Sequence, residues 1–351
     1  MARAFRRTPG VRPTRSGRWE ARYYDDRGHQ RGKTFIRKAN AEAFRSTVRA
    51  DLRRGTWIDP AASAAQFATL ASGWLASRLN VRRSTFLTDE GCIRKHILPR
   101  FGSVPIGRIA RADVQRWIKE LSDAGVGADT VRRCHRLLKT ILADAVEERM
   151  IPESPCRRIS LPRIVRREQL FLTAAEVERL AGVIDVLYTP LIYTAAYLGC
   201  RWGELAGLKR ENVDVERREI RVVGTLQDLG RDVRYVEETK TASSRRNMSL
   251  PAFLAELLEK HLVNAPASDF VFVRPDGTWL RRTDFRRAQW KPAVAVAGLD
   301  PDLRFHDLRH SCAGLLIAQG PHPKEIQARL GHASITRTLN TYGNGLALWG
   351  V

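Results

Sequence analysis

The chain has little cysteine and little methionine: five Cys and three Met in 351 residues. Cys92, Cys134, Cys156, Cys200 and Cys312 show no CxxC spacing. Neither a disulfide framework nor a cysteine-zinc site is indicated, and an odd, scattered set suits reduced thiols in a cytosolic protein. Long hydrophobic runs are missing as well. The basic start MARAFRRTPG has no apolar stretch behind it, so it does not read as a secretory signal. The longest nearly uncharged run, residues 186–200, is too short to span a membrane and reads as a buried helix. Acidic residues are the third shortage, with 38 Asp and Glu against 60 Lys and Arg, a net charge of +22. Residues 1–60 contribute +10, residues 61–165 contribute +8, and the remainder only +4. The surplus therefore lies in the N-terminal half, which reads as a nucleic-acid footprint spread over two modules. The length suits two or three domains. No internal repeat or low-complexity segment stands out.

Residues 17–24, GRWEARYY, alternate in the manner of a strand. Asp25-Asp26-Arg27-Gly28 is turn chemistry, and residues 31–36 return as a second strand. Asn40 is expected to cap a helix that runs to Arg54 and closes at Gly55. Residues 60–64, PAASA, read as a linker. From Gln66 to Met150 the pattern is helical. Phe67, Leu70, Trp74 and Leu75 form one stripe. A second helix over 85–97 is expected to stop at Pro99. A third, over 111–122, places Val114, Trp117, Ile118 and Leu121 on one side. A fourth opens at Asp129 or Thr130. Trp74 and Trp117 read as core. Arg132, Arg133, Arg136 and Lys139 recur at near-helical spacing on the fourth helix, as a face tracking a DNA backbone would need. A merely solvated face is the competing reading. Residues 151–168 hold three prolines and a basic cluster, an interdomain linker stiffened by proline.

Beyond it, Thr173 caps a helix over 174–184, an apolar helix over 189–198 ends at Gly199, and a short helical piece follows over 201–208. Residues 213–223, 233–239 and 245–250 alternate like three strands, with Lys240 in the turn between the last two. Residues 252–262 are helical again. The last ninety residues carry the densest chemistry: LRFHDLRHSCAGLLIAQG, then PHPKEIQARLGHASITRTLNTYGN. His306 and Arg309 stand three apart at a helix start, so both side chains point to one face. His332 and Tyr342 follow later short helices. Two histidines, an arginine and a tyrosine suit phosphate chemistry, with donors to hold an anion and a hydroxyl to attack it. His306 and His310, at i and i+4, also invite a zinc reading. Asp307 stands where a metalloprotease would need Glu, and no third ligand accompanies the pair, so no metal and no cofactor are expected.

HDLRH, LGHAS and TLNTY together resemble the C-terminal signature of the tyrosine recombinases, the phage-type integrases. The Gly199-Cys-Arg201-Trp-Gly-Glu204-Leu205 stretch is similar to the first half of that signature, and Glu238-Thr-Lys240-Thr resembles the family's lysine turn. Asn344 departs from the His that many relatives carry there. The resemblance implies Arg201 and Arg309 as guanidinium clamps on a phosphodiester. It implies Tyr342 as nucleophile, His306 as base or orienting partner, His332 as a donor to the scissile phosphate and Lys240 as acid to the leaving 5′-oxygen. Glu204 would orient Arg201, and His310 would be structural. Attack by Tyr342 would give a 3′-phosphotyrosine, keep the bond energy, and need neither ATP nor metal.

The implied fold is a multidomain α+β chain. Residues 1–60 would be an arm-type DNA-binding domain of small sheet plus helix, with Arg22 and Lys33 among its DNA contacts. Residues 65–150 would be a helical core-binding domain and 151–168 a linker. Residues 169–351 would be a mainly helical catalytic domain with a small antiparallel sheet. The implied partners are double-stranded DNA at core and arm-type sites and a homotetramer on DNA, with a directionality factor or host DNA-bending protein as further candidates and no membrane. The implied setting is the bacterial cytoplasm, at the nucleoid. The apolar tail residues Leu346, Leu348 and Trp349 would dock a neighbouring protomer. A topoisomerase-like enzyme and a non-enzymatic DNA-binding regulator are the alternatives.

Overall fold

The computed structural model describes residues 10–26, 28–165, 169–230, 232–237 and 246–317. The chain divides into two compact units, Met1–Val165 and Arg166–Val351. Lys240, His332, Tyr342 and the tail from residue 318 onward lie outside the described residues. Among the described residues, no helix is long and apolar enough to cross a membrane.

The first unit begins with three antiparallel strands, Val11–Pro13, Trp19–Tyr24 and Gln30–Phe35, in that spatial order. The helix Lys38–Arg54 covers one face, burying Ala21 and Tyr23 against Val48 and Trp57. Alternation in WEARYY thus does what the period-2 pattern predicts: 21 and 23 face inward. Gly55 closes the helix in the left-handed region, φ 69°, where glycine carries no Cβ penalty. Asn40 is not the cap. The helix starts at Lys38 behind Arg37, with no side-chain cap bond, so its start follows from packing on the sheet. Residues 60–64 also differ from expectation. Asp59 accepts from the Ala61 N–H at 2.8 Å and Pro60 takes the first helical position, making Pro60–Ser63 a helical turn.

The helical part packs Phe67, Phe101 and Trp117 edge to face, with the 101–117 ring centroids 5.3 Å apart. The helix from Arg83 does not stop at Pro99. It runs through a π turn, Ile93–Ile97, into Leu98–Phe101. The wider turn lets Leu98 N–H reach Ile93 O, and proline falls at the start of the next helical piece, where its missing N–H costs least. The Trp117 indole N–H donates to His96 O in that turn at 3.0 Å, so a buried donor is satisfied. Asp89, nearly fully buried, is paired with both Arg78 and Arg133. The 151–168 segment is no free tether at its start. Ile151 and Cys156 are buried with the helices, and Ser160 exchanges two hydrogen bonds with the Gln115 side chain.

In the second unit the apolar helix Thr189–Leu198 is central, packed against helices Ala174–Val183, Ala252–Asn264 and Asp307–Ile317. Thr173 caps the helix Ala174–Val183 as expected, and Glu176 makes the cap reciprocal by accepting from Thr173 N–H at 2.8 Å. Gly199 ends the central helix at φ 65°. The expected strand over 213–223 is a hairpin instead. Asp214 accepts from Arg217 N–H and Arg218 adopts φ 52°, turning Val213–Asp214 back against Glu219–Val222. That hairpin pairs with Arg246–Ser249. A separate ribbon joins Gly224–Asp228 to Val233–Glu237, so the antiparallel structure is two small sheets. Helices Arg282–Phe285 and Lys291–Val296, joined by a π turn, complete the core with Phe285 and Trp290.

Candidate active site

Arg201 occupies the N-cap of the short helix Trp202–Ala206. Glu204, three residues on, takes Arg201 N–H at 2.8 Å and its Nη1 at 2.7 Å. The same carboxylate receives the Arg246 guanidinium edge-on, Nη2 to Oε2 at 2.7 Å and Nη1 to Oε1 at 3.2 Å. Arg246 opens the strand that follows the stretch carrying Lys240. Glu204 therefore bridges two arginines, one about half exposed and one buried. Burial alone would push its carboxyl up; the hydrogen bonds and charge of Arg246, with those of Arg201, hold it down to about 2. Gly203 lets this helix close on the ribbon. A Cβ there would collide with Thr225 Oγ1 and lie 3.0 Å from Leu226 O.

The helix Asp307–Ile317 brings the second group. Ser311 Oγ accepts from Leu172 N–H at 2.8 Å and donates to Asp307 O at 2.9 Å. Arg309 Nη1 donates to Gly199 O at 2.6 Å. The carbonyl left over at the end of the central helix thus ties Arg309 to the loop that carries Arg201. Arg309 is only 3 % exposed. Beside it, Phe305 packs on Trp202 with centroids 4.9 Å apart, and on Phe285 and Trp290. Trp202 neighbours Arg201 and Phe305 neighbours His306, so this contact fixes both functional side chains at one cleft. The cleft holds about 530 Å³, and its walls include Arg201, Arg281, Arg282, Arg304 and His306. Desolvation, then the charges of Arg309, Arg201 and Arg304, push the His306 imidazole below its usual value, with Asp307 opposing. A neutral ring is what a proton acceptor requires.

Of the expected residues, Arg201, Glu204, His306 and Arg309 come together; Lys240, His332 and Tyr342 lie outside the described residues. His310 packs its ring on His306 at 5.1 Å and on Phe171 at 6.3 Å, as a packing residue would. No role in this site was expected of Arg246, Arg304 or Asp307. Arg304–Asp307 repeats the spacing of Arg201–Glu204, a signal that was available. Arg246 ends the stretch Glu238-Thr-Lys240-Thr-Ala-Ser-Ser-Arg245-Arg246 that resembles the family's lysine turn, but that resemblance gave it no role of its own.

The expected DNA contacts divide. Arg136 and Lys139 are exposed on the helix Ala128–Glu147. Arg132 donates to Pro162 O at 2.8 Å and Arg133 pairs with Asp89, so those two hold the fold of their own unit. Arg22 and Lys33 lie on opposite faces of the N-terminal sheet. Lys33 is registered with Ala21 and sits over the Phe44 ring at 4.9 Å on the helix side. Arg22 lies on the open face and donates to Glu20 at 3.0 Å.

A helical domain that gathers arginines and a histidine around one open cleft is built to handle a phosphodiester, and sequence comparison says which family built it. Residues 170–346 match the phage integrase family. Residues 66–122 match the phage integrase N-terminal SAM-like domain, and residues 10–54 the phage integrase N-terminal domain. The chain belongs to the phage integrase family, the tyrosine-type site-specific recombinases. It is 31 % identical over 339 residues to a putative prophage phiRv2 integrase of Mycobacterium tuberculosis, covering 92 % of this chain and 88 % of that one. In fold it resembles the Tn1549 transposon integrase in complex with a circular intermediate DNA, with a TM-score of 0.69 and 23 % identity over 78 % of this chain and 93 % of that one. It also resembles a lambda integrase tetramer bound to a Holliday junction, with a TM-score of 0.62 and 19 % identity over 95 % and 94 % of the two chains.

Proposed function

We propose that this recombinase cuts and rejoins DNA strands at attachment sites to integrate or excise a phage or mobile element. The observation that carries the assignment to this cleft is the convergence of Arg201 and His306, with Glu204 bracing one and Arg309 tying the two segments together. A phosphodiester placed there meets guanidinium donors on its non-bridging oxygens, which gain charge in the pentavalent transition state. Tyr342 supplies the attacking oxygen, His306 accepts or orients its proton, His332 donates to the phosphate, and Lys240 protonates the departing 5′-oxygen. The product is a 3′-phosphotyrosine and a free 5′-hydroxyl. Reversal onto a new strand end completes the exchange without ATP or metal.

Residues 1–60 bind accessory arm sites and residues 65–351 bind the core site. Residues 169–351 hold the chemistry, and four protomers on two DNA segments form the working assembly. The similar integrases, one solved in complex with a circular intermediate DNA and one as a tetramer bound to a Holliday junction, support that reading. A directionality factor or host DNA-bending protein is a further expected partner. The test is Tyr342→Phe on a nicked core-site duplex. The variant binds with the parent's affinity and forms no covalent adduct. An adduct that persists in the variant rules Tyr342 out as nucleophile.

A further inference from the structure

The cleft presents a second clamped arginine besides Arg201. Asp307, with no exposed side-chain surface, takes Arg304 N–H at 2.8 Å, Nε at 3.1 Å and Nη2 at 2.7 Å. This is the arrangement at Arg201, where Glu204 takes the same backbone N–H and one guanidinium nitrogen. Both arginines stand at a helix start, each with an acid three residues on. Their side chains are similarly exposed, 44 % for Arg201 and 46 % for Arg304. Both border the same cleft as His306, whereas the buried Arg309 does not line it. Among the described residues, Nη1 of Arg304 has no hydrogen-bond partner, while Nε and Nη2 are held by Asp307. The cleft's charged walls are four arginines against the single Asp228, so an anion is favoured there.

We propose that Arg304 is a phosphate-binding residue of this cleft, its Nη1 edge contacting a backbone phosphate of duplex DNA. This rests on the DNA reading of the cleft given above. Asp307 acts as a positioning residue. It fixes the guanidinium plane before DNA arrives, so little rotamer freedom is lost on contact. Arg304 and Arg201 then grip the same strand from the two helix starts that the Trp202–Phe305 contact holds together.

The probe is a random-sequence DNA duplex titrated with the full chain over a range of salt. Each phosphate contact contributes about 0.9 to the slope of log affinity against log salt. Arg304→Gln should lower that slope by about 0.9 and weaken binding about tenfold at low salt, while Arg304→Lys keeps the slope. Because Arg304→Gln leaves Asp307 buried and unpaired, Arg304→Gln with Asp307→Asn is measured as well, after its melting curve has been recorded. It should show the same slope loss. In the unaltered chain, bound duplex should protect Arg304 from dicarbonyl labelling read by mass spectrometry. A parental slope in the folded double variant, or full labelling of Arg304 under saturating duplex, overturns the proposal. Loss of any salt-dependent duplex binding by the parent itself would instead overturn the DNA reading.

Discussion

Removing the Glu204 carboxylate is the perturbation whose size the structure defines best. Glu204→Ala leaves Arg246 buried with its counter-charge gone, and takes from Arg201 the partner that orients it. Breaking a buried pair in this way costs about 3–5 kcal/mol. A second route reaches a similar figure. A carboxyl held at about 2 against an ordinary 4.5 corresponds to roughly 3 kcal/mol. The sign follows from the depression: the contribution is present above the ordinary value and is lost as pH falls toward the folded one. For a domain of this size the expected drop in melting temperature is roughly 6–20 °C near neutrality. The assay is thermal and urea unfolding of parent and variant at pH 7 and again near pH 3, with core-site cleavage measured beside it. The gap between the two proteins should narrow in acid, and cleavage should fall because Arg201 loses its contact with Glu204. Replacing both Glu204 and Arg246 by apolar residues of similar volume should recover much of the stability but not the cleavage. A loss under about 1 kcal/mol at pH 7, or a gap that does not narrow in acid, refutes the reasoning.

Two further outcomes follow from the same region. Burial, then the charge of His306, lowers the His310 imidazole to about 4 from an ordinary 6.5; the unfolded chain therefore binds a proton in that window that the folded one refuses. Stability should drain away as pH falls from 6.5 toward 4, and His310→Phe should flatten this limb by roughly 2 kcal/mol at pH 5; parallel profiles for the two proteins would remove His310 as the cause. Gly203→Ala should cost about 1–3 kcal/mol by forcing the ribbon off the Arg201 helix, and adding Thr225→Ala should return part of it in urea melts, since Thr225 Oγ1 is the atom displaced; no recovery would place the strain elsewhere.

Much of the architecture was legible because local rules and tertiary packing agree. The helix over Thr189–Leu198 shows its limits in sequence, apolar throughout and closed by Gly199, and the structure has those limits. Thr173 was legible as the cap of the helix Ala174–Val183, and the structure adds Glu176 as its reciprocal partner. Reading failed where one local signal carried two meanings. Pro99 looked like a stop, but a π turn ahead of it admits the ring. Alternation over 213–223 looked like one strand, but Asp214 and Arg218 fold it into a hairpin. The four basic residues of the helix Ala128–Glu147 share a spacing, yet Asp89 and the Pro162 carbonyl engage two of them. Periodicity records spacing along one helix and carries no information about what approaches from another segment.

What the sequence determined by itself is the chemical inventory and its order: the arginine near Gly199, the histidine and arginine after Phe305, and the excess of positive charge in the first half. Those follow from composition, spacing and family resemblance. Only the tertiary structure decided how these residues are used. It placed Glu204 between Arg201 and Arg246, buried Arg309 against the Gly199 carbonyl, and set Arg304 at the cleft edge. The physical reason is that a charged side chain's role depends on which partner and how much water surround it. Residues 201, 246 and 304 acquire those surroundings only when segments far apart in the chain pack together.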